Sequence, residues 1–296
     1  MQGLPKNIRK VTIVGVGLLG GSIGLALRAD DFDGELVGVG RRQSSLDEAL
    51  EVGAIDSATL EADQGVAGAD LVILATPVGA FEKLLKLIKP ALADGVIVTD
   101  VGSTKREVVR IGERVFGRGG PFIGSHPMAG SENRGPAFAR ADLFVGATCI
   151  LTPTAHTPPA VTRRTEAFWK TLGLRTLQMT PADHDKAVAR VSHLPHVMAG
   201  LLAMLPDDAD LDVAATGFRD ATRMAGGDPA MWRDILMTNR QVIVSVAKAL
   251  GKDLERFIRL LDKGDDVAIE KFFTDAKRRR DDTIGQRLTD RRVAAE

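Results

Sequence analysis

The six residues Gly15-Val16-Gly17-Leu18-Leu19-Gly20 constrain this chain more than any other segment. They follow an apolar run that reads as a strand and precede a helical pattern. That is the G-x-G-x-x-G arrangement of a dinucleotide-binding βαβ unit. Gly15 permits the tight turn, and Gly17 lets a pyrophosphate approach the backbone. Gly20 lets the helix lie close to the strand, so that its N-terminus faces the phosphates. No Walker lysine competes with this reading. Gly15, Gly17, Leu18, Leu19 and Gly20 are therefore expected to hold a nicotinamide dinucleotide.

The next 160 or so residues suit such a unit. Short apolar runs at 11–15, 35–40, 71–75, 96–100, 122–124, 148–151 and 174–179 alternate with helical patterns. This predicts a parallel sheet with crossover helices. Ser45-Leu46-Asp47-Glu48 reads as a capping box opening a helix. From Pro181 onward no strand is evident. Helical spacing runs over 187–205, 231–250, 254–261 and 267–284, with Gly251 as a plausible helix stop. The expected architecture is an α/β Rossmann N-terminal domain, residues 1–180, followed by an all-α C-terminal domain, residues 181–296.

Composition removes several function classes. Lys+Arg and Asp+Glu both total 39, so no basic excess points to nucleic acid. The run Arg278-Arg279-Arg280 is followed at once by Asp281-Asp282 and reads as a solvated helix face. The apolar stretch 11–27 superficially resembles a leader peptide, but its five glycines would weaken an apolar helix. The single cysteine, Cys149, sits in a strand-like run and fits a reducing compartment. A cytoplasmic, non-membrane protein is expected.

The end of the second strand bears on the cofactor. NAD sites place an acid there for the ribose hydroxyls. This chain has Gly40-Arg41-Arg42-Gln43-Ser44-Ser45. Arg41, Arg42 and Ser45 suit a 2′-phosphate, so NADP is favoured with NAD possible, although arginines there also simply cover a surface. Thr76 and Pro77, directly after the third predicted strand, are counted with the cofactor residues.

Two polar groups stand at strand ends, where open parallel sheets bind ligands: Asp100-Val101-Gly102-Ser103-Thr104-Lys105, and Ser125-His126-Pro127-Met128-Ala129-Gly130-Ser131-Glu132. His126, placed on a strand-end loop, is either an acid–base group or a structural loop histidine, and Ser103 could orient it. In the second half, His193 and His196 lie at i and i+3, but no cysteine or acid at zinc spacing accompanies them, so no metal is expected. Arg219 and Arg223 lie at i and i+4 in a partly apolar segment. They either pair with Asp220 and Asp228 or await an anionic substrate.

Together these motifs resemble prephenate/arogenate dehydrogenase, the TyrA family of tyrosine biosynthesis. The matching pieces are Gly15–Gly21 with Ser22, the Asp100–Lys105 run, Ser125–Gly130, Ser192-His193-Leu194-Pro195-His196, Gly217–Arg223, Asp228-Pro229 and Met231-Trp232-Arg233-Asp234. The resemblance spans both halves. It implies that His126 is the catalytic histidine and Ser103 its hydrogen-bond partner. It further implies that Arg223 holds the substrate carboxylate, with Arg219 helping, that His196 faces the substrate side chain, and that Ser131, Glu132 and Trp232 line the pocket. The implied reaction is oxidative decarboxylation of prephenate or arogenate by a homodimer joined through the helical half. No space is expected for a fused mutase or an appended regulatory domain. The rivals are another Rossmann-plus-helical dehydrogenase, of β-hydroxyacid or imine type, and a non-catalytic NAD(P) sensor.

Overall fold

The computed structural model describes residues 8–131 and 133–283. Its strands are β1 (Lys10–Val14), β2 (Glu35–Val39), β3 (Ser57–Thr59), β4 (Leu71–Leu74), β5 (Ile97–Asp100), β6 (Phe122–Pro127), β7 (Thr148–Thr152) and β8 (Arg175–Gln178). They form one sheet in the order β3-β2-β1-β4-β5-β6-β7-β8. The strand order reverses between β1 and β4, which is where an open α/β sheet binds its ligand.

Alternation along each strand explains why both faces are covered. Val11 and Ile13 of β1, Leu71 and Ile73 of β4, and Ile97 of β5 pack with helices Leu18–Ala29, Gln43–Glu51 and Pro159–Thr171. Val14, Val72, Leu74 and Val98 turn to the other face, against helices Ala62–Val66, Phe81–Ile88 and Arg106–Phe116. Burial on both faces is why these strands read as nearly continuous apolar runs.

Several expectations need correction. The sheet is not wholly parallel, because β7 runs antiparallel to β6. Among the described residues the loop between them holds a 3₁₀ turn at Pro136–Phe138 and no longer helix, and without a crossover helix the chain comes straight back. β3 was not anticipated: three residues, Ser-Ala-Thr, are too short and too polar to show a period. His126 lies within β6 rather than on a loop beyond it. Ser45 sits inside helix Gln43–Glu51, whose cap position is Arg42, so the expected capping box does not start that helix.

The second half contains no strand among the described residues. Helix Pro181–Val188 opens it, capped by Thr180 Oγ1 accepting from the Asp183 N–H. The long helix expected over 187–205 is interrupted by a π-helical turn at Ala189–His193 before Leu194–Ala203. Pro195 has no N–H and cannot complete a regular ladder there, and π-turns recur at functional positions. The helix expected over 231–250 breaks at Asn239 into Pro229–Thr238 and Arg240–Asp262. Gly251 lies inside the latter and caps nothing. The last described helix is Asp266–Asp282, and the expected end at Ile284 lies outside the described residues. No described helix is long and apolar enough to cross a membrane.

Candidate active site

The glycine turn has the geometry its spacing predicts. Gly15 takes φ +105°, and a Cβ there would stand 2.7 Å from the Ala75 carbonyl oxygen at the end of β4. Gly20 lies so close to β1 that a Cβ would reach the Gly15 carbonyl at 2.1 Å. Gly17 faces open space and caps helix Leu18–Ala29 without any side-chain hydrogen bond. The first N–H groups of that helix are thus left for an anion. Beside them, Thr76 Oγ1 is buried with no partner. An open glycine cradle, an uncapped helix and an orphaned hydroxyl fit a dinucleotide. Pro77 follows, leading into a 3₁₀ turn at Val78–Ala80. Arg41 and Arg42 are exposed at the end of β2 and make no ion pair among the described residues, with Ser45 half-buried one turn on.

The ends of β5 and β6 are held by a buried ion pair. The β5–β6 ladder stops at Thr99↔Ile123. Beyond it, Asp100 Oδ1 accepts the Ser125 N–H at 3.0 Å, so a side chain continues the pairing that the backbone has left. Asp100 Oδ2 accepts from the Gly102 N–H at 2.8 Å and from the Lys105 ammonium at 2.5 Å. Both side chains are fully buried. Burial pushes the Asp100 carboxyl up from its ordinary value, and the Lys105 charge opposes that shift.

His126, next along β6, is 8% exposed. Its Nδ1 stands 2.9 Å from His184 Nε2. His184 Nδ1 stands 2.8 Å from Asp185 Oδ1. His126 Nε2 has no partner among the described residues and is not sealed from solvent. Burial drives His126 well below the usual histidine value, reinforced by His184, Lys105 and His193, so the ring is neutral at physiological pH. The expected contact with Ser103 is not made: Ser103 is half-buried at the end of β5, and His184 occupies the Nδ1 side instead. Neither His184 nor Asp185 was anticipated. The only sequence signal is an adjacent His-Asp pair behind a Thr-Pro helix start, and nothing in spacing links it to a histidine 58 positions away.

The helical half contributes a second cluster. His196 stacks on Trp232 with ring centroids 3.6 Å apart, and its Nδ1 donates to the Ser192 carbonyl at 2.9 Å. His193 is buried, accepts from Asn239 Nδ2 at 3.2 Å, and leaves Nε2 without a partner. The two arginines differ from expectation. Helix Thr216–Thr222 ends before Arg223, and both Arg219 and Arg223 are exposed rather than on a partly buried face. Arg219 lies 3.7 Å from Asp220 in a solvent-exposed pair. Asp228 is paired with Arg134 from the loop after β6, and Arg223 has no ion-pair partner among the described residues. Ser131 lies exposed on that same loop, while Glu132 lies outside the described residues. No cluster of metal ligands occurs among the described residues. A cavity of about 370 Å³ opens beside Asp185, lined by Arg106, Arg110, Asn239 and Arg240, but it includes neither His126 nor the glycine turn.

Residues 23–178 match the nucleotide-binding domain of prephenate dehydrogenase, and residues 180–275 match its dimerization domain. The chain belongs to the prephenate dehydrogenase family. It is 34% identical to the prephenate dehydrogenase of Lactococcus lactis, covering 92% of this chain and 76% of that protein. It is 32% identical to the cyclohexadienyl dehydrogenase of Zymomonas mobilis, covering 92% and 95%. The crystal structure of A. aeolicus prephenate dehydrogenase, in complex with hydroxyphenyl propionate and NAD+, superposes with a TM-score of 0.87 at 31% identity, covering 93% of this chain and 98% of that one. The resemblance read from the motifs is thereby confirmed, and the chain is a nicotinamide-dependent dehydrogenase by family.

The buried histidines of this family member make stability depend on pH. Burial lowers His193 to about 4, and it lowers His126 and His184 in the same direction. A folded-state value below the unfolded value of ~6.5 means that the unfolded chain binds the proton first. The contribution is therefore complete above pH ~6.5 and is lost as pH falls toward 4. For His193 alone this amounts to about 3 kcal/mol across that window. Urea midpoints should fall between pH 7.5 and pH 5, and His193→Gln should flatten the dependence. An unchanged midpoint would contradict neutral burial of these rings.

Proposed function

We propose that this chain oxidatively decarboxylates prephenate or arogenate to 4-hydroxyphenylpyruvate or tyrosine, with NADP preferred over NAD. The observation that carries this reading is His126. It is neutral, fixed on its Nδ1 side, and open at Nε2, at the carboxyl edge of the sheet that presents the glycine turn. A bound nicotinamide supplies the hydride acceptor. His126 Nε2 takes the proton of the ring hydroxyl as the adjacent C–H bond gives up its hydride. Loss of the ring carboxylate as carbon dioxide then aromatises the ring, and the oxygen recovers the proton from His126 to give the phenol; aromatisation drives the reaction, so the protein's task is mainly positioning. The resemblance assigns substrate roles to Arg223, Arg219, His196, Trp232, Ser131 and Glu132, and to Ser103 the role of orienting His126.

The same reading makes residues 1–180 the nucleotide-binding domain and 181–296 the substrate and dimerisation domain. Met204, Leu205, Val213, Val267 and Phe273 are all more than half exposed in the helical half. A second copy of this chain is the partner that would cover them, in keeping with the match to a dimerization domain.

Incubation with prephenate or arogenate and each cofactor, followed by absorbance of reduced nicotinamide, tests the function. Turnover should appear with at least one of the two substrates. His126→Asn should lower kcat by about 10²–10⁴-fold with little change in KM. No turnover with either substrate would sink the proposal.

The exposed arginines at the end of β2, Arg41 and Arg42, govern cofactor choice. Wild-type turnover should favour NADP, and Arg41→Ala should weaken NADP selectively. Equal loss with both cofactors, or a wild-type preference for NAD, would refute this.

Arg223 is the principal substrate anchor in this reading. An Arg–carboxylate pair contributes roughly 1.5–3 kcal/mol, so Arg223→Ala should raise substrate KM on the order of 10- to 100-fold. Arg223→Lys should recover only part of that loss, because an ammonium cannot reproduce the bidentate fork. Cofactor KM should hardly change. An unaltered substrate KM would remove Arg223 from the site.

A further inference from the structure

The atoms that decide how His126 presents itself lie behind it, on the helix that opens the second half of the chain. His126 Nδ1 meets His184 Nε2 at 2.9 Å, and His184 Nδ1 meets Asp185 Oδ1 at 2.8 Å. Asp185 is itself fixed from several sides. Its Oδ1 accepts the Lys105 N–H at 2.7 Å, its Oδ2 the Arg106 N–H at 3.0 Å, and its backbone carbonyl an N–H of Asn239 at 2.9 Å. His184 and Asp185 are as buried as the sheet core, at 0% and 1% exposure.

Donor and acceptor bookkeeping along this line has one solution. Both Asp185 oxygens face N–H donors, so they act only as acceptors. His184 Nδ1 must then donate. A neutral imidazole carries a single N–H, so His184 Nε2 accepts. The hydrogen between the two rings therefore belongs to His126 Nδ1. What remains on His126 is a bare Nε2, the nitrogen that has no partner among the described residues.

We infer that His184 and Asp185 are positioning residues that lock His126 in the tautomer with a bare Nε2, so that this nitrogen alone is offered to the substrate hydroxyl. The inference rests on reading His126 as the base and goes beyond it, since the resemblance assigns the orienting role to Ser103. The line also serves the next moment of the reaction. When Nε2 takes the proton, His126 becomes an imidazolium whose Nδ1–H still donates to His184, with the Asp185 carboxylate behind it. No proton needs to leave the line, and no group needs to turn. The other ionisable groups acting on the two rings are Lys105 and Asp100 from the β5 end and His193 from the π-turn. Burial favours the neutral form of both rings, which is the state this tautomer chain requires.

Two measurements test the inference separately from the overall activity. The chain has five histidines, so long-range ¹⁵N–¹H correlation spectra of the labelled protein at pH 8 should resolve them, with His126→Asn and His184→Asn supplying the assignments. His126 and His184 should each show a protonated Nδ1 and a bare Nε2. A His126 protonated on Nε2 would overturn the inference whatever the activity. The kinetic test avoids Asp185→Asn, whose amide would confront the Lys105 or Arg106 N–H and threaten folding. His184→Asn keeps a polar group near Asp185 but stops short of His126, while His184→Gln reaches far enough to accept from His126 Nδ1. His184→Asn should lower kcat by about 10²-fold with KM within about threefold, and His184→Gln should regain about tenfold. Equal losses in the two variants, or none in either, would overturn the inference. Near-normal kcat in His126→Asn would instead defeat the functional reading, and the tautomer spectra would still decide this one.

Discussion

The buried pair between Asp100 and Lys105 sets the constraint on which the rest of this site depends. A carboxylate and an ammonium are both withdrawn from water at the end of β5. Such a pair does little for net stability, because its attraction is offset by lost hydration. Its effect is on geometry. Once buried, Asp100 must find further donors, and it takes them from the Gly102 and Ser125 backbones. That fixes the turn after β5 and fixes β6 one residue before His126. Lys105, held by its ammonium, sets the start of helix Arg106–Phe116, and the first N–H groups of that helix then call for an acceptor. Asp185 supplies it.

Asp185 comes from the helical half, so the same contact that caps a helix of the sheet domain also docks the second half of the chain. Asn239 secures Asp185 from behind, and Thr104 and Thr238 hydrogen-bond across the same junction at 3.0 Å. Further out, the Arg134–Asp228 pair links the loop after β6 to the start of helix Pro229–Thr238. The junction between the halves is therefore polar and is organised around the residues next to His126. Apolar packing builds the sheet half, and hydrogen bonds set how the helical half meets it. Removing one member of such a network leaves buried groups without partners, which costs more than the bond itself.

This division explains what was legible in the sequence. Apolar period marks elements that bury a face, so the strands other than β3 could be placed to within a few residues, as could helices Pro159–Thr171 and Asp266–Asp282. The glycine spacing reports close backbone approach, and Gly15 and Gly20 do approach the backbone within a Cβ radius. Polar residues at strand ends pointed to His126 and Ser103. The direction of β7 was not legible, since the twenty residues between β6 and β7 do not announce whether they form a crossover helix. His184 and Asp185 were missed because they act through partners 58 and 80 positions away. The arginines were misjudged for a related reason. Neighbouring small and apolar residues suggested a buried face, but the helix stops at Thr222 and leaves both guanidiniums in water.

The groups that the fold leaves unsatisfied are as informative as those it satisfies. Buried polar atoms without partners are few in a native structure, and each calls for a reason. Arg164 Nε and Trp169 Nε1 belong to helix Pro159–Thr171, and the structure offers no account of them. The others do have a common address. Thr76 Oγ1 follows β4 and His193 Nε2 lies by the Ser103 backbone after β5; beside them, His126 Nε2, which is not sealed from solvent, opens from β6. These are the carboxyl ends of three adjacent parallel strands, next to the uncapped helix behind the glycine turn. A hydroxyl, a ring N–H and a bare ring nitrogen are left without partners among the described residues along one edge, while the polar groups directly behind them are closed into a network. That pattern costs stability unless something polar completes it. A ligand carrying its own donors and acceptors, bound along that edge, is what such an arrangement is suited to receive.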